Sequence, residues 1–309
     1  MRYSAVELGK PVSHSLRINA GSESVTIFCT GDFHEDDPRR DSPQFAALKD
    51  EFKSSPNPRL LLLGDYGEQW RPSSRERLSS ILVRDDDERS QFDDDVRRKQ
   101  DPLIKRLSFA EGKIIGIHSG HHHWTFASGE NTDQRLASAL RAPYLDIVAI
   151  SRVQMIPCGD SRHALSYTLM SMHGAGSSKF VCSDGAQWQN AIFPYWIADH
   201  YVRGHGHKAG VWCPGARNVA RRFGPAGIIE ESPTMMMVGG LRRCYTDGHT
   251  SYEEQKLLPP QPISWGIIRL KINRRTCTSA ARGLARQAVT DGHGARMIVS
   301  ESVTRIWRP

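Results

Sequence analysis

Acids and histidines recur along the first two-thirds of the chain, each directly after a short apolar run. The motifs are GDFH (31–34), GDYGE (64–68), GHHH (120–123), HG (173–174) and GHGH (204–207). In open α/β sheets, sites are built just beyond the carboxyl ends of the strands, and each motif would lie at such an end. One histidine alone is more often a surface or core residue than a ligand, and a solitary Gly-Asp is common in turns. Five such motifs in succession favour a metal site instead.

Asp32 and His34 are separated by one residue, and so are His205 and His207. Because side chains alternate along an extended chain, the two members of each pair can face one ion. A lone aspartate after a strand, such as Asp65, can bridge two ions with its two oxygens. Mixed nitrogen and oxygen ligands suit Zn, Fe or Mn, whereas Ca or Mg would prefer oxygen alone. Two ions about 3.5–4 Å apart could polarise a phosphoryl group and generate hydroxide at neutral pH.

The elements that must position these residues alternate between predicted strands and helices. Residues 44–53 carry apolar side chains at helical spacing, and the polar stretch 73–107 is predicted to be mostly helical. The acidic clusters of that stretch (85–88 and 93–95) are interpreted as a solvated face. Short apolar runs predict strands at 25–30, 59–63, 113–117, 164–172, 197–202, 234–240 and 267–272. Strands alternating with helices indicate an α/β sheet.

Composition bounds the class of protein. The 309 residues fit one large domain or two small ones, and 39% hydrophobic with 24% charged residues indicate a soluble, globular chain. The formal net charge of +7 permits an anionic substrate without requiring one. We find no apolar run of about 18 residues and no secretory signal, so we expect no membrane partner. Six scattered cysteines without a Cys-x-x-Cys pair favour free thiols in a reducing cytoplasm.

The order and spacing of the five motifs resemble the calcineurin-like metallophosphoesterases. That family has Asp-x-His, Gly-Asp-x-x-Asp/Glu, Gly-Asn-His-Asp/Glu, His-Gly and Gly-His-x-His in the same order. The segment ADHYVRGHGHK (198–208) is similar to the version in phage and bacterial members, which implies a phage-encoded protein in a host cytoplasm. The resemblance covers about residues 23–272. It implies an α/β fold, a four-layer αββα sandwich of two mixed sheets flanked by helices.

The resemblance also implies a set of metal ligands. Asp32, His34 and His207 would bind one ion, and Asp65 would bridge to the other. His173 and His205 would bind the second ion. His121 stands where the family has an asparagine that also binds the second ion, and an imidazole can do the same. The implied cofactors are two divalent transition metal ions, of which Mn, Fe, Zn and Ni are the candidates.

Three further residues would act beside the ligands. His122 matches the family's histidine at the substrate, which stabilises the phosphoryl oxygens or protonates the leaving group. Glu68 matches a supporting acid of the Gly-Asp motif. His123 stands where the family has an acid that supports the histidine, and this departure affects the orientation of His122. His118 and His200 lie near the motifs but match nothing, and we interpret them as structural.

The implied function is a dinuclear metal-dependent phosphoester hydrolase, either a phosphomonoesterase or a phosphodiesterase, in which metal-bound hydroxide attacks phosphorus. One alternative is a nuclease acting on DNA or RNA. The basic net charge favours nucleic acid as a partner, although we find no RRM, KH or zinc-ribbon signature. The other alternative is a degenerate metal-binding module without turnover, which His121 and His123 raise. The sequence does not rank phosphoester substrates.

The last 36 residues differ in composition from the rest. We divide the chain into a metallophosphoesterase domain (1–273) and a basic C-terminal extension (274–309), which has seven arginines against Asp291 and Glu301. The extension predicts either a free arm for nucleic acid or a docked helix (280–289) with an edge strand (296–307). Docking is favoured because apolar residues cluster near the chain end.

Overall fold

The computed structural model describes most of the chain, from residue 10 to residue 306. The described residues are 10–18, 24–37, 40–67, 78, 86–157, 165–176, 181–215, 217–220, 228–231, 233–245, 248, 263–275, 289–291 and 294–306. Glu68 and most of the predicted helix at 280–289 lie outside them. Within these ranges, no helix combines the length and the apolar character needed to cross a membrane.

Two mixed sheets form the centre of the fold. The first sheet has the strand order β1-β6-β7-β8-β12-β9. Its strands are β1 (Lys10–Ile18), β6 (Val148–Pro157), β7 (Leu165–Met172), β8 (His200–Arg203), β12 (Thr234–Met237) and β9 (Gly210–Trp212). The antiparallel pairs β6–β7 and β12–β9 interrupt an otherwise parallel arrangement. A separate hairpin joins β10 (Arg217–Ala220) to β11 (Ile228–Glu231).

The second sheet has seven strands in the order β14-β15-β13-β2-β3-β4-β5. They are β14 (Val289–Asp291), β15 (Gly294–Ile306), β13 (Ser264–Arg275), β2 (Ser24–Thr30), β3 (Pro58–Leu62), β4 (Ile114–His118) and β5 (Tyr144–Asp146). The half from β2 to β5 is parallel, and the half from β14 to β2 is antiparallel. Parallel strands buried on both faces explain the continuous apolar runs in this part of the sequence.

Helices cover the outer face of each sheet. Three of them lie against the second sheet: α1 (Ser42–Ser54), α2 (Asp86–Leu107) and α3 (Thr132–Ala139). The fourth, α4 (Val181–Ile192), packs against the first sheet through Trp188 and Ile192. Between the sheets lies an apolar core to which both contribute, for example Ile27 and Leu61 from one and Leu169 and Val202 from the other. The four-layer αββα sandwich of two mixed sheets is therefore confirmed.

Local signals explain where two of the helices begin. Asp41 caps α1, its side chain accepting a hydrogen bond from the backbone N–H of Gln44 at 3.0 Å. Asn131 and Gln134 form a capping box at the start of α3. Such caps satisfy backbone N–H groups that have no partner in the first turn of a helix.

Among the described residues of the two acidic clusters, Asp93 departs from the predicted solvated face. Asp93 is buried, and its carboxylate accepts hydrogen bonds from Nε1 of Trp124 and the backbone N–H of Ala127, each at 2.7 Å. Asp94 beside it is exposed and pairs with Arg97, as a solvated face would. Composition could not separate these neighbours, because the two groups that donate hydrogen bonds to Asp93, on Trp124 and Ala127, lie more than thirty residues away in sequence.

The last described strand joins the second sheet directly. β15 pairs antiparallel with β13 from Ser264↔Ile306 to Arg275↔Ala295. The short β14 then pairs with β15 on its other side, so β14 and not β15 forms the edge. The division of the chain at residue 273 stays a prediction, although residues beyond it contribute to the sheet.

Candidate metal centre

The five motifs converge at one edge of the sandwich. Asp32 follows β2, Asp65 follows β3, and His121 follows β4 in the second sheet. His173 follows β7, and His205 with His207 follows β8, in the first sheet. The loops are joined by backbone hydrogen bonds, from Asp32 N to the oxygen of Gly64 at 2.8 Å and from His34 N to the oxygen of Asp65 at 3.2 Å. The parallel strands therefore bring distant parts of the chain to one place, as the motif positions predicted.

Two glycines allow the loops to approach this closely. A Cβ atom on Gly64, whose φ is +103°, would lie 2.7 Å from Nδ1 of His173. A Cβ atom on Gly120 would lie 2.1 Å from the backbone nitrogen of Asp65. Both distances are shorter than any van der Waals contact, so a side chain at either position would displace a predicted ligand.

The first ligand group consists of Asp32, His34 and His207, each offering one atom within 4.8 Å of the others. Oδ1 of Asp32 lies 3.6 Å from Nε2 of His207. The rings of His34 and His207 stack with their centroids 5.5 Å apart. Oδ2 of Asp32 accepts a hydrogen bond from the backbone N–H of His205 at 3.1 Å, which orients Oδ1 towards the group.

The second ligand group consists of Asp65, His121, His173 and His205, again within 4.8 Å. Nδ1 of His205 lies 3.1 Å from Nε2 of His173 and 3.2 Å from Nδ1 of His121. Oδ2 of Asp65 lies 3.2 Å from Nε2 of His173 and 4.0 Å from Nδ1 of His205. Three imidazoles and one carboxylate thus share one small volume.

The two oxygens of Asp65 have different neighbours. Oδ1 accepts hydrogen bonds from the backbone N–H groups of His121 and His122, at 2.6 and 3.0 Å. Oδ2 faces His173, so that oxygen is the one oriented for a cation. The structure thus places Asp65 in the second group. Its bridging of two ions stays a prediction.

Five of the seven predicted ligands have a left-handed backbone. The φ angles are 50° at Asp32, 44° at His34, 51° at Asp65, 63° at His205 and 51° at His207. Residues other than glycine rarely adopt this conformation, and it costs about 1–3 kcal/mol each. Such residues persist only where the surrounding structure imposes them, and they concentrate at functional sites. Their grouping here indicates that the fold tolerates strain to orient these side chains.

Burial and close contact shift the pKa values of several side chains in the two ligand groups. Burial would raise the pKa of Asp65, but the neighbouring His173, His122 and His34 together outweigh burial and hold that pKa well below its usual range. Burial would lower the pKa of His173, but Asp65 and Asp32 raise it to about 9. Burial raises the pKa of Asp32 to about 6, with a further contribution from Asp65. Burial and the neighbouring His173 lower the pKa of His205 to about 3.

These donors fit transition metal ions. Nδ1 of His173 bonds to the backbone oxygen of Leu63 at 2.6 Å, which fixes the tautomer and leaves the Nε2 lone pair facing the carboxylate of Asp65. A lone pair that faces a carboxylate is repelled by it unless a proton or a cation lies between them. A backbone oxygen that accepts a hydrogen bond from the other ring nitrogen, as Leu63 does here, is typical of imidazoles that bind metals. Oδ1 of Asp32 is buried and has no hydrogen-bond partner among the residues that the structure describes. The mixed nitrogen and oxygen set suits Mn, Fe, Zn or Ni.

The remaining predicted site residues lie around the ligands. Nε2 of His122 lies 3.9 Å from Oδ2 of Asp65, and its ring meets that of His34 edge-on at 5.2 Å. His122 keeps 17% of its side chain exposed, so a substrate can reach it. Nδ1 of His123 bonds to the backbone oxygen of Gly120 at 2.9 Å. Glu68 lies outside the described residues, so its predicted role is not placed.

Two buried carboxylates that the motifs did not reveal support the ligand loops. Oδ2 of Asp133, on α3, accepts a hydrogen bond from the backbone N–H of Gly120 at 2.9 Å and another from Oγ of Ser119 at 3.3 Å. Asp184, on α4, lies 3.5 Å from Nη1 of Arg203 and 3.4 Å from Nζ of Lys208. No sequence motif marks either aspartate, because each acts through a contact made only in the folded chain.

A cavity of about 650 Å³ opens beside the second ligand group. His121 and His173 form one wall, and Trp188 with Ile192 of α4 forms another. Arg203 also lines it. The volume is within the range of small-molecule sites.

Comparisons with known proteins give structural likenesses at low identity. No family model and no curated protein matches the chain. It matches a structure of vacuolar protein sorting 29 from Cryptosporidium parvum (12% identity, 92% of this chain and 100% of that one, TM-score 0.35). It also matches a predicted phosphoesterase from Streptococcus pneumoniae (12%, 92% and 100%, TM-score 0.31) and the calcineurin-like phosphoesterase YfkN from Bacillus subtilis (12%, 92% and 90%, TM-score 0.36). At these scores the matches are likenesses only.

Proposed function

We propose that this chain is a dinuclear metal-dependent phosphoester hydrolase of the calcineurin-like metallophosphoesterase type. One observation supports it above the others. Two groups of nitrogen and oxygen donors lie side by side, beyond the carboxyl ends of strands from both sheets. The first group has three donor residues and the second has four. Asp32 accepts a hydrogen bond from the backbone N–H of His205, and Asp65 accepts one from the backbone N–H of His121. Each carboxylate therefore also orders a neighbouring ligand loop.

In the proposed enzyme, Asp32, His34 and His207 hold one divalent transition ion, and Asp65, His121, His173 and His205 hold the other. When bound, two such ions supply Lewis-acid polarisation of the phosphoryl group and activation of water. His121 supplies an imidazole donor to the second group, so the change from asparagine keeps a ligand in place. The same two ligand groups would equally serve a metal-binding module without turnover. A measurement of hydrolysis distinguishes that module from the proposed enzyme.

His122 is the proposed proton donor to the leaving group. Its backbone N–H is held by Asp65, and its ring is packed against His34, so its position is coupled to both ligand groups. A partly exposed imidazole at this position can donate a proton to a leaving group through Nε2. Nδ1 of His123 lies 2.9 Å from the backbone oxygen of Gly120, a hydrogen bond that helps to order the turn of the GHHH loop.

The test combines metal content with turnover. Purified protein dialysed against Mn²⁺ should hold up to two ions per chain by elemental analysis and should hydrolyse bis(4-nitrophenyl) phosphate or 4-nitrophenyl phosphate. Asp65→Asn should lower both occupancy and turnover, because the amide loses the charge that the imidazole-rich group requires. The matched control is Asp50→Asn, which changes an exposed acid on α1 and should alter neither.

The outcomes separate the proposal from its alternatives. Absence of bound transition metal, together with activity that resists chelators, would overturn it. Two ions bound with no hydrolysis of either ester would favour the module without turnover. Hydrolysis restricted to DNA or RNA would favour the nuclease, whose support remains the basic composition of the chain.

A further inference from the structure

A second cavity lies between α1 and the C-terminal end of α2, on the helical side of the second sheet. Its volume is about 430 Å³, and none of the seven predicted metal ligands lines it. Its lining includes five basic residues and one acid, which leaves an excess of four positive charges, and we call this space the basic groove. These six residues are Glu35, Arg40, Lys49, Lys53, Lys105 and Arg106.

Glu35 cannot neutralise the whole groove, because two arginines already occupy its carboxylate. Its Oε1 accepts a hydrogen bond from Nη1 of Arg40 at 2.7 Å, and its Oε2 accepts one from Nη1 of Arg106 at 2.5 Å. Only 10% of the Glu35 side chain is exposed. The three lysines of the groove are therefore left without a carboxylate partner among the residues that the structure describes.

The other cations of α2 show how a solvated helix face differs from this groove. Arg97 forms an ion pair with Asp94 at 2.7 Å, three residues away. Lys99 forms an ion pair with Asp95 at 2.7 Å, four residues away. Such pairs balance the charge on an exposed face. In the basic groove the cations instead face one another across a concave surface, where their mutual repulsion would be relieved by a bound anion.

We propose that the basic groove binds a small molecule that carries two or three phosphate groups. One phosphate group carries about −1.5 to −2 charges at neutral pH, so two such groups match the excess of four positive charges. The volume of the groove lies within the range of small-molecule sites. The proposal does not depend on the proposed hydrolase, since the groove shares no residue with the two ligand groups.

The lysines are placed to bind more than one phosphate group of the same ligand. Lys49 and Lys53 are four residues apart on α1, so they share one face and lie about 6 Å apart along the helix axis. Lys105 approaches from the opposite wall, in the last turn of α2. Lysine and arginine side chains only donate hydrogen bonds, so the ligand must be rich in acceptors. Phosphate groups meet this requirement with three acceptor oxygens each.

Phe109 also lines the groove, but protein side chains already pack around its ring. Nζ of Lys49 lies 5.8 Å from the ring centroid, and the rings of Phe45 and Phe52 meet it edge-on at 6.0 and 5.2 Å. Proteins that bind single-stranded nucleic acid without sequence preference combine a basic groove with aromatic rings on which bases stack. The basic groove offers charge but little stacking surface, which favours a small phosphorylated molecule over a strand.

Three substitutions of the same kind provide the test and its control. Lys53→Gln and Lys105→Gln each remove one exposed charge, from opposite walls of the groove. Neither side chain has a hydrogen bond or an ion pair within the described part of the chain, so both variants should fold. Lys271→Gln removes an exposed charge from β13, outside the groove, and is the matched control.

The experiment measures binding of inorganic tripolyphosphate and of orthophosphate to the full chain by calorimetry at low ionic strength. The wild type should bind tripolyphosphate at least tenfold more tightly than orthophosphate, because the longer anion contacts cations on both walls. Lys53→Gln and Lys105→Gln should each weaken tripolyphosphate binding by about three- to tenfold, the usual range for one charged contact. Lys271→Gln should keep the wild-type affinity. Any heat from chelation of bound metal is common to the variants, because none of them changes a predicted ligand.

Three outcomes would overturn the proposal. Equal tripolyphosphate affinities in Lys53→Gln, Lys105→Gln and Lys271→Gln would show that the groove does not hold the anion. A loss of affinity in Asp65→Asn, with none in the two groove variants, would place the anion at the metal ligands instead. A single-stranded oligonucleotide that binds more tightly than tripolyphosphate, and that loses affinity in the same two groove variants, would identify a nucleic acid strand as the occupant.

Discussion

The carboxylate of Asp184 lies 3.4 Å from the ammonium group of Lys208, and both side chains are almost fully buried. The other oxygen of Asp184 lies 3.5 Å from Nη1 of Arg203. Arg203 directly precedes the GHGH motif and Lys208 directly follows it. One carboxylate on α4 therefore holds both ends of the loop that carries two predicted ligands.

The first prediction concerns the ion pairs of Asp184 with Arg203 and Lys208, which we call the Asp184 clamp. Asp184→Asn leaves two buried cations without a full countercharge, so we expect the free energy of unfolding to fall by about 3–5 kcal/mol. Metal occupancy should fall with it, because the loop loses its fixed ends. Denaturant unfolding of metal-free protein and elemental analysis measure the two effects. The control is Asp94→Asn, which removes an exposed ion pair with Arg97 and should change stability by less than about 1 kcal/mol. Equal stability of the two variants would contradict the clamp.

The second prediction concerns Asp133 as a positioning residue for the GHHH loop. Asp133→Ala removes the acceptor of the Gly120 N–H group, and we expect metal affinity to drop about 10–100-fold, as for other partners that hold ligands from behind. Asp133→Asn keeps an oxygen that can accept the same bond, so it should restore most of the affinity. A metal titration followed by turnover distinguishes the two variants. If alanine and asparagine behave alike, the hydrogen bond is not what positions the loop.

The third prediction concerns His122. His122→Asn should lower turnover about 10²–10⁴-fold, the usual contribution of a positioned acid, while metal content stays unchanged. The loss should be smaller for esters with good leaving groups, because these need no proton. Rates on a series of aryl and alkyl phosphoesters measure the trend. Losses of equal size across the series would remove the acid role and leave stabilisation of the phosphoryl oxygens.

The fourth prediction concerns pH and His118, which is fully buried between the backbone oxygen of Asp146 and Oγ of Ser171. Burial lowers its pKa from 6.5 to about 4. The unfolded chain binds the proton more readily, so the stabilisation is complete above about pH 6.5 and is lost as pH falls towards 4. The whole difference corresponds to about 3 kcal/mol. His118→Asn should flatten the dependence of the unfolding free energy on pH between 7 and 4, and an unchanged slope would contradict it.

The sequence predicted the parts of the site whose signals are local. Short apolar runs ending in Gly-Asp or Gly-His marked β2, β3 and β4, and the seven predicted ligands lie together in two groups. The resemblance supplied the two-sheet sandwich. The strand β1 (Lys10–Ile18) has Val12, Leu16 and Ile18 scattered among polar residues, so no apolar run marked it, and we did not predict it.

What the sequence could not show depends on contacts between distant segments. Asp184 and Lys208 are 24 residues apart and meet only when α4 packs on the first sheet. The cavity of about 650 Å³ beside the second ligand group takes its walls from the loop after β4 and from β5, β7 and α4, so no window of sequence contains it. The burial of Asp93 within an acidic run has the same origin.

The last prediction concerns the C-terminal strand. In the structure β15 pairs with β13, whose Trp265, Ile267 and Ile268 are buried. Truncation after Arg275 would turn β13 into an edge strand and remove every one of these ladder hydrogen bonds, so the melting temperature should fall. Binding of DNA and RNA, measured at two salt concentrations, should be unaffected. An unchanged melting temperature together with weaker binding and a shallower salt slope would instead identify a free basic arm and strengthen the nuclease alternative.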